Sequence, residues 1–329
     1  MTDDKGMLSM DQHPSIRVGH GRTWAKAILI GEHSVVYGHP AVAVPLHDLR
    51  MNATVTPTPG PSWLRSLNYD GPLREAGHRF ACVARAFEVA RERSGALGQS
   101  FEVVTASDFP HERGLGSSAA SAGAIIRAVL DACGRQASRE ELLPLIHQAE
   151  QIAHDRPSGL DAAATTAPSP IRFQSGEMRL LSQRIEGVQL VIADSGIHGS
   201  TREAVGGLRR RYEADPGFYG PRIQRLGRLT HRSIEALAHG EALVLGETMN
   251  AAHELLSEIG VSLDLLDNLT QAARQAGALG AKMTGGGLGG CLISLTDSPQ
   301  AAEAVSRALT QAGAARTWTY RLRTSEAPL

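Results

Sequence analysis

The sequence has no excess of charge of either sign and few aromatic residues. Its 329 residues include 33 Lys and Arg against 34 Asp and Glu, for a formal net charge of −1, and aromatic residues make up 4%. Proteins whose main partner is a nucleic acid or an anionic membrane show a clustered basic excess, and binding to single strands uses aromatic side chains for base stacking. We therefore expect neither a nucleic-acid partner nor a membrane partner.

Cysteine and long apolar stretches are also scarce. Three cysteines, Cys82, Cys133 and Cys291, lie far apart and form neither a disulfide framework nor a metal-binding spacing. The most apolar stretch, residues 119–130, is broken by Arg127 and is shorter than the about 18 residues that a membrane span needs. The polar N-terminus lacks the apolar segment of a signal peptide. These features predict a cytoplasmic protein with a disordered leader over residues 1–15.

The length and the order of the predicted elements indicate two domains. Apolar residues make up 42% and charged residues 20%, which is globular composition, and 329 residues exceed what one hydrophobic core usually organises. Strand and helix patterns are mixed up to about residue 185. A helical stretch over residues 201–276 follows, and then a strand, a glycine-rich turn, a strand, a helix and a strand. We predict an α+β protein with domains over residues 16–185 and 186–329.

Local signals predict several element boundaries. Helical spacing covers residues 76–94, and Ser138 with Glu141 three residues on predicts the start of another helix. Residues 56–61, TPTPGP, include four Pro or Gly residues. They therefore predict a loop or an excursion out of the sheet, because such a segment fits neither a helix nor a central strand.

Glycine is in excess, with 35 copies, and one cluster precedes a predicted helix. Residues 114–120 read GLGSSAA. The backbone N–H groups of such a loop and the positive end of the helix dipole converge on one anion, most commonly a phosphate. Ser117 and Ser118 can cap the helix, and either hydroxyl can bind a phosphate-bound Mg²⁺. No Lys follows the glycines, which excludes a Walker A loop. The alternative is a helix start that merely needs small residues.

Two carboxylates flank the end of the next predicted helix. Glu150 lies near that end, and Asp161 follows the terminating turn in the segment PSGLD. A chain reversal can bring both groups to one pocket. One carboxylate suits a hard cation such as Mg²⁺, and the other suits a general base toward a hydroxyl. The alternative is a surface Glu and an ordinary turn Asp.

A third segment, KAILIGEHSVVYG over residues 26–38, places charged groups at both ends of an apolar strand. Lys26 begins the strand, and Glu32 and His33 occupy the turn after it. A Lys that faces a phosphate neutralises charge that develops during phosphoryl transfer. Solvated charges beside a strand are the alternative, and His33 alone indicates binding at most.

A fourth segment is rich in glycine. Five of the six residues 285–290 in KMTGGGLGGC are Gly, between two strand-like stretches. A simple hairpin needs one or two glycines, so five imply a backbone packed closely against a ligand or against the first glycine loop.

The four segments, in this order, resemble the motifs of the GHMP kinases, a family of small-molecule kinases. VIADSGIHGSTREAV over residues 191–205 and MNAAHELLSEIGVS over residues 249–262 are similar to further stretches of the family. The resemblance spans residues 17–320 and is closest to the members that phosphorylate mevalonate. It implies an N-terminal domain like ribosomal protein S5 domain 2, a ferredoxin-like C-terminal domain, and transfer of the γ-phosphate of MgATP to the 5-hydroxyl of (R)-mevalonate.

The resemblance also implies roles for individual residues. Asp161 is the base that deprotonates the substrate hydroxyl, Lys26 stabilises the transferring group, and Ser118 and Glu150 hold Mg²⁺. The mevalonate site includes Glu32, His33 and Thr201. The ATP site includes Ser107 and the loop residues Gly114, Leu115, Gly116, Ser117, Ser118, Ala119 and Ala120. A homodimer is typical of the family.

Four residues depart from the commonest family pattern. They are Ala25, Glu112, Ala162 and Leu288, and none of them removes a charge that the chemistry needs. Similar choices occur in the Gram-positive bacterial branch, so we interpret them as lineage. Two alternatives stay open. One is a sister kinase acting on phosphomevalonate, for which Arg156 and Arg202 offer extra charge, and the other is a non-catalytic ligand-binding member.

Overall fold

The computed structural model describes residues 16–153 and 157–326, so the predicted leader and Arg156 lie outside the described residues. The first half of the chain forms one sheet and the helices that cover it. Its elements are β1 (Gly19–Ile30), β2 (Ala41–Thr58), β3 (Trp63–Ser66), β4 (Tyr69–Pro72), α1 (Ala81–Ser94), β5 (Ser100–Ser107), α2 (Ser117–Ala132), α3 (Arg139–Ala153), α4 (Leu160–Thr165), β6 (Ile171–Gln174) and β7 (Glu177–Leu180).

The long strand β2 organises this sheet. β1 pairs with β2 on one edge, and on the other edge β5 and β6 share its length in the order β4-β3-β5-β2-β6-β7. Helix α2 packs directly on β1 because Gly21 has no side chain. A Cβ at Gly21 would lie 1.9 Å from the carbonyl oxygen of Ala124. The sheet therefore holds the N-terminus of α2, where the first glycine loop ends, beside β1.

Local signals predicted part of these boundaries. The predicted capping box is present, since the Glu141 amide donates to Ser138 Oγ at 3.3 Å and the Ser138 amide donates to the Glu141 carboxylate at 3.0 Å. The helix predicted over residues 76–94 begins only at Ala81, after a 3-10 turn. The loop predicted over residues 56–61 is instead strand up to Thr58. Pro57 fits there because β1 begins opposite Val55, which leaves Pro57 beyond the reach of β1 on that edge of β2.

The second half of the chain forms a smaller sheet and a helical layer. Its elements are β8 (Gln189–Asp194), α5 (Thr201–Ala214), α6 (Pro216–His239), α7 (Ala242–Glu258), α8 (Asp264–Gln275), β9 (Gly280–Thr284), β10 (Cys291–Thr296), α9 (Pro299–Gln311) and β11 (Arg316–Arg321). The sheet is antiparallel in the order β11-β8-β10-β9. That order, with a crossover through helices on each side of the β9–β10 pair, is ferredoxin-like and confirms the prediction.

One apolar cluster connects the two sheets. It runs from Leu29 in β1 to Leu190 in β8 and Met283 in β9, all of which are fully buried. Each sheet lies on its own side of residue 185, and the domain boundary itself stays a prediction. No helix within residues 16–153 and 157–326 is long and apolar enough to cross a membrane.

Candidate active site

Lys26 and Asp161 meet at the centre of the site. Lys26 Nζ lies 2.9 Å from Asp161 Oδ1, and 3% of the lysine side chain is exposed against 41% of the aspartate side chain. The pairing of β1 with β2 shifts register between Trp24 and Ala25, and this irregularity changes the direction of the strand directly before Lys26. Asp161 lies in the first turn of α4, after Gly159 at φ +84°. The pair is thus a buried ammonium beside a partly exposed carboxylate.

The first glycine loop wraps around Lys26. The Lys26 amide donates to the Leu115 carbonyl at 3.0 Å. Gly116 has φ +74°, and a Cβ there would lie 2.9 Å from Lys26 Cγ and 3.0 Å from Thr165 Cγ2. Only glycine combines this left-handed backbone with so close an approach.

The N-terminus of α2 is left open by its capping residue. The N-cap is Gly116, and no side chain of the described residues caps the helix. The expectation that Ser117 or Ser118 caps α2 is therefore wrong. Ser117 Oγ instead accepts a hydrogen bond from the Glu112 amide at 3.3 Å, because the loop turns back on itself. First-turn N–H groups without a capping side chain, at the positive end of the helix dipole, form an anion site.

Glu150 is a buried carboxylate beside this pair. It lies on α3 and is 4% exposed. Burial and the nearby charge of Asp161 together raise the pKa of Glu150 to about 8, against the opposing effect of Lys26. Ser118 lies on the same side, since both Ser118 and Glu150 are close enough to the Cys82 thiol to affect its pKa. The carboxylates of Glu150 and Asp161 therefore lie near the one ammonium of Lys26. A further cation would balance their charge.

Ser118 and Glu150 fit a magnesium ion by their chemistry. Both offer hard oxygen donors, and Mg²⁺ typically takes one or two protein ligands with phosphate and water oxygens completing the shell. The raised pKa of Glu150 reports a buried carboxylate that lacks sufficient positive charge around it. Within the described residues no group of three or more His, Cys, Asp or Glu side chains forms a metal site.

The second glycine segment packs against the first. A Cβ at Gly285 would lie 3.0 Å from Gly114 Cα, and the Cys291 amide donates to the Arg113 carbonyl at 3.2 Å. This confirms that the glycines allow a close backbone approach to the first loop. Two departures from the family pattern, Glu112 at φ +60° and Leu288 at φ +54°, adopt the left-handed backbone that favours glycine.

Glu32, His33 and Thr201 gather around Gly286. His33 Nε2 lies 2.9 Å from the Gly286 carbonyl oxygen, and a Cβ at Gly286 would lie 2.7 Å from Thr201 Cα. Burial lowers the pKa of His33 to about 4, so the ring is neutral near pH 7. Glu32 pairs with Lys282, a buried lysine to which the sequence analysis gave no role, and burial raises the pKa of Glu32 despite that ammonium.

Other residues add to this picture. Ser107 Oγ donates to the Phe109 carbonyl at 2.6 Å and so closes a turn before the loop, and its nucleotide contact stays a prediction. Sequence reasoning missed the ion pair of Arg113 with Asp194, at 3.0 Å. A buried pair between residues so far apart leaves no periodic signal, although both residues lie in or beside quoted motifs.

Fold and site together define a class of protein: an α+β kinase for small molecules whose phosphate loop is not a Walker loop. The GHMP kinase N-terminal domain pattern matches residues 81–168, and the GHMP kinase C-terminal pattern matches residues 233–315. The chain is 34% identical over 311 residues to a mevalonate kinase of Thermococcus onnurineus, covering 88% of this chain and 92% of that protein. It is 35% identical over 297 residues to a mevalonate kinase of Pyrococcus horikoshii, covering 84% and 88%.

A solved structure has the same fold. The crystal structure of L. major mevalonate kinase in complex with R-mevalonate superposes with a TM-score of 0.82, at 24% identity, over 93% of this chain and 97% of that one. The chain therefore belongs to the GHMP kinases, and the predicted α+β fold of that family is confirmed. The curated relatives named above are archaeal, so they do not support the expected place in the Gram-positive branch.

Proposed function

We propose that this chain transfers the γ-phosphate of MgATP to the 5-hydroxyl of (R)-mevalonate, giving 5-phosphomevalonate and ADP. Two curated mevalonate kinases at 34% and 35% identity, each aligned over more than four-fifths of the chain, support this substrate. The geometry at Lys26, Gly116 and Asp161 supports the reaction type. We further propose that the reaction takes place in the cytoplasm.

In this proposal Asp161 accepts the proton of the substrate hydroxyl. Its carboxylate is open to the cleft, and the ammonium of Lys26, 2.9 Å away, stabilises negative charge on the attacking oxygen and on the transferring group. Positioning and charge neutralisation supply most of the rate in phosphoryl transfer. Mg²⁺, held by Ser118 and Glu150, would neutralise phosphate charge when bound.

The binding residues divide between two sides of Lys26. We assign the ATP phosphates to the open N-terminus of α2 and to residues 114–120, with Ser107 as a further nucleotide contact. We assign mevalonate to the cluster of Glu32, His33 and Thr201. With Nε2–H donating to the Gly286 carbonyl, His33 Nδ1 is an acceptor that lacks a partner among the described residues. It can therefore accept a hydrogen bond from a substrate hydroxyl.

A single observation carries the proposal. The ion pair of Lys26 with Asp161 lies directly against Gly116, the residue that leaves the N-terminus of α2 uncapped. A base, a cation and an anion site therefore meet at one point, as in-line transfer of a phosphoryl group requires.

The substrate assignment is tested with a panel of alcohols. Purified protein with MgATP is assayed for ADP release with (R)-mevalonate, phosphomevalonate, galactose and homoserine. We expect release with mevalonate and background rates with the others. Release with phosphomevalonate alone would reassign the chain to the sister reaction, and no release with any alcohol would favour a ligand-binding member of the family.

The role of Asp161 is tested by Asp161→Asn. We expect kcat to fall by at least about a hundredfold, within the range for a general base, while the Kd for MgATP stays nearly unchanged because the amide keeps the size of the side chain. Rapid-quench kinetics and calorimetric titration with ATP measure the two quantities. Near-normal turnover would show that another group accepts the proton.

A further inference from the structure

Arg113 joins the phosphate loop to the C-terminal sheet through its side chain. Its Nε lies 3.0 Å from Asp194 Oδ1, and Nη2 donates to the Gly196 carbonyl at 3.2 Å. The two side chains are 12% and 9% exposed, so this pair is largely withdrawn from water, unlike the surface ion pairs of the protein. An ion pair in such surroundings depends strongly on both partners.

Asp194 is itself firmly held. It is the last residue of β8, the strand between β10 and β11, and it pairs with Cys291 and Arg316. Its carbonyl accepts from the Ala315 amide at 2.8 Å, and its Oδ1 accepts from the Gly196 amide at 2.9 Å. The guanidinium of Arg113 therefore lies against a residue that is paired with strands on both sides of β8.

The main chain of Arg113 is tied to the same sheet. Its carbonyl accepts from the Cys291 amide, and a Cβ at Gly290 would lie 2.8 Å from that carbonyl oxygen. In the next loop residues the backbone of Gly114 packs against Gly285, and Leu115 bonds to Lys26 through its carbonyl while its side chain is buried in the core. Arg113 is thus the last charged side chain before the N–H groups that we assign to the phosphates.

We propose that Arg113 and Asp194 form a positioning pair that registers the nucleotide-phosphate loop against the C-terminal sheet. A preorganised loop binds phosphate without the cost of ordering at the moment of binding. The inference rests on the proposed function in one respect, that residues 114–120 bind ATP phosphates. The rival is direct contact of Arg113 with a phosphate, since its Nη1 and Nε have no hydrogen-bond partner among the described residues, although Nε is within ion-pair distance of Asp194.

Three variants separate the two roles. Arg113→Met removes the charge and keeps the length of the side chain, Asp194→Asn keeps an acceptor for the Gly196 amide, and the third variant combines both changes. Isothermal titration with ATP and with adenosine measures binding without any alcohol substrate. Steady-state kinetics then give KM for ATP, KM for mevalonate and kcat.

A positioning pair predicts matched losses. Each single variant should weaken ATP binding by about tenfold, the equivalent of about 1.4 kcal/mol, and the double variant should bind no worse than the weaker single one. The Kd for adenosine and the KM for mevalonate should stay within about twofold of the wild-type values, a difference of less than about 0.5 kcal/mol. Arg113→Lys should recover part of the ATP affinity. Arg222→Met, which breaks the ion pair of Arg222 with Glu258 outside the site, is the matched control.

Two other results would overturn the proposal. If Asp194→Asn binds ATP as well as or better than the wild type while Arg113→Met loses affinity, Arg113 contacts phosphate directly and the proposal is overturned. Additive losses in the double variant would also overturn it. Thermal unfolding shows which variants fold. If Arg113→Met does not fold, Arg113→Lys replaces it in the binding measurements. Wild-type protein that binds no ATP would contradict the proposed function and not the pair.

Discussion

Gly116 shows how one residue links backbone geometry to catalysis. Its φ of +74° and the 2.9 Å distance from a built Cβ to Lys26 Cγ mean that any side chain strains the loop and displaces the lysine. We expect Gly116→Ala to lower the free energy of unfolding by about 2–4 kcal/mol, from the left-handed backbone and the overpacking together. The same change should reduce kcat, because Lys26 moves away from Asp161.

Gly134 provides a matched control for this prediction. It has φ +69°, follows the C-terminus of α2, and would present a Cβ to open space. Gly134→Ala should therefore cost only the backbone term, about 1–2 kcal/mol, with kcat unchanged. Urea unfolding and steady-state kinetics on both variants measure the difference. Equal effects on kcat would mean that crowding of Lys26 has no role.

Glu150 makes stability depend on pH in the metal-free protein. Its pKa in the folded state is raised from 4.5 to about 8, so the folded state binds a proton more tightly than the unfolded state does. That stabilisation is complete below about pH 4.5 and is lost as the pH rises through about 8. At about 1.4 kcal/mol for each pH unit, the loss is at most about 5 kcal/mol.

Glu150→Gln should remove this dependence. Without metal, the variant should lose less stability than the wild type between pH 5 and pH 8, because its amide does not ionise. Denaturant unfolding at several pH values in the presence of a chelator makes the comparison. Parallel curves for the two proteins would show that Glu150 does not titrate in this range.

Residue types and spacing predicted the charged groups of the site but not their surroundings. Lys26 and Asp161 stand in short motifs, so the chemistry of each was predictable, while their closeness was implied only by the resemblance of those motifs to the family. The left-handed backbone at Glu112 and Leu288 was not, because nothing in either residue type indicates it. The pairing of Lys282 with Glu32 was missed for a different reason: it joins residues that are far apart in the chain.

At the scale of elements, α7 completes the open edge of β9. The Ala281 amide donates to Asn250 Oδ1 at 3.0 Å, and the Met283 amide donates to His253 Nδ1 at 3.3 Å. His253 Nε2 lies 3.1 Å from Asp267 Oδ1. Two side chains of one helix thus bond alternate N–H groups of an edge strand, as a neighbouring strand would do.

This arrangement predicts a cost for removing either side chain. His253→Ala and Asn250→Ala should each lower the free energy of unfolding by about 1–3 kcal/mol, because each leaves a strand N–H unsatisfied. His239→Ala is the control, since His239 is exposed and bonds only within α6. Urea unfolding measures all three. If His239→Ala costs as much as the others, the edge contacts contribute nothing particular.

Element boundaries followed the sequence wherever the signal was local. The capping box of Ser138 and Glu141 marked the start of α3 correctly, because both partners lie within one turn. The prediction that Ser117 caps α2 was wrong. Its hydroxyl accepts a hydrogen bond from the Glu112 amide, and the N-cap residue is Gly116. The strand order of the first sheet could not be read from the residues, because β2 has three neighbours that lie at very different distances along the chain.

At the scale of the whole molecule, two polar contacts hold the smaller sheet against β1 and against the turn that follows β1. Thr284 Oγ1 donates to the Ile28 carbonyl at 3.0 Å and accepts from the Ile28 amide at 2.8 Å. Lys282, two residues before Thr284, pairs with Glu32, and neither side chain is more than 1% exposed. β9 therefore links the second glycine segment to the strand that carries Lys26.

The pair of Glu32 with Lys282 predicts non-additive effects on folding. Glu32→Gln or Lys282→Met alone should lower the free energy of unfolding by about 3–5 kcal/mol, because each leaves a buried charge without its partner. The double variant leaves no buried charge and should be more stable than either single one. Denaturant unfolding of the four proteins closes the cycle, with Arg323→Met at the exposed pair with Asp48 as a control expected to cost less than about 1 kcal/mol. Losses that simply add would show that Glu32 and Lys282 do not stabilise each other and that other contacts hold the two sheets together.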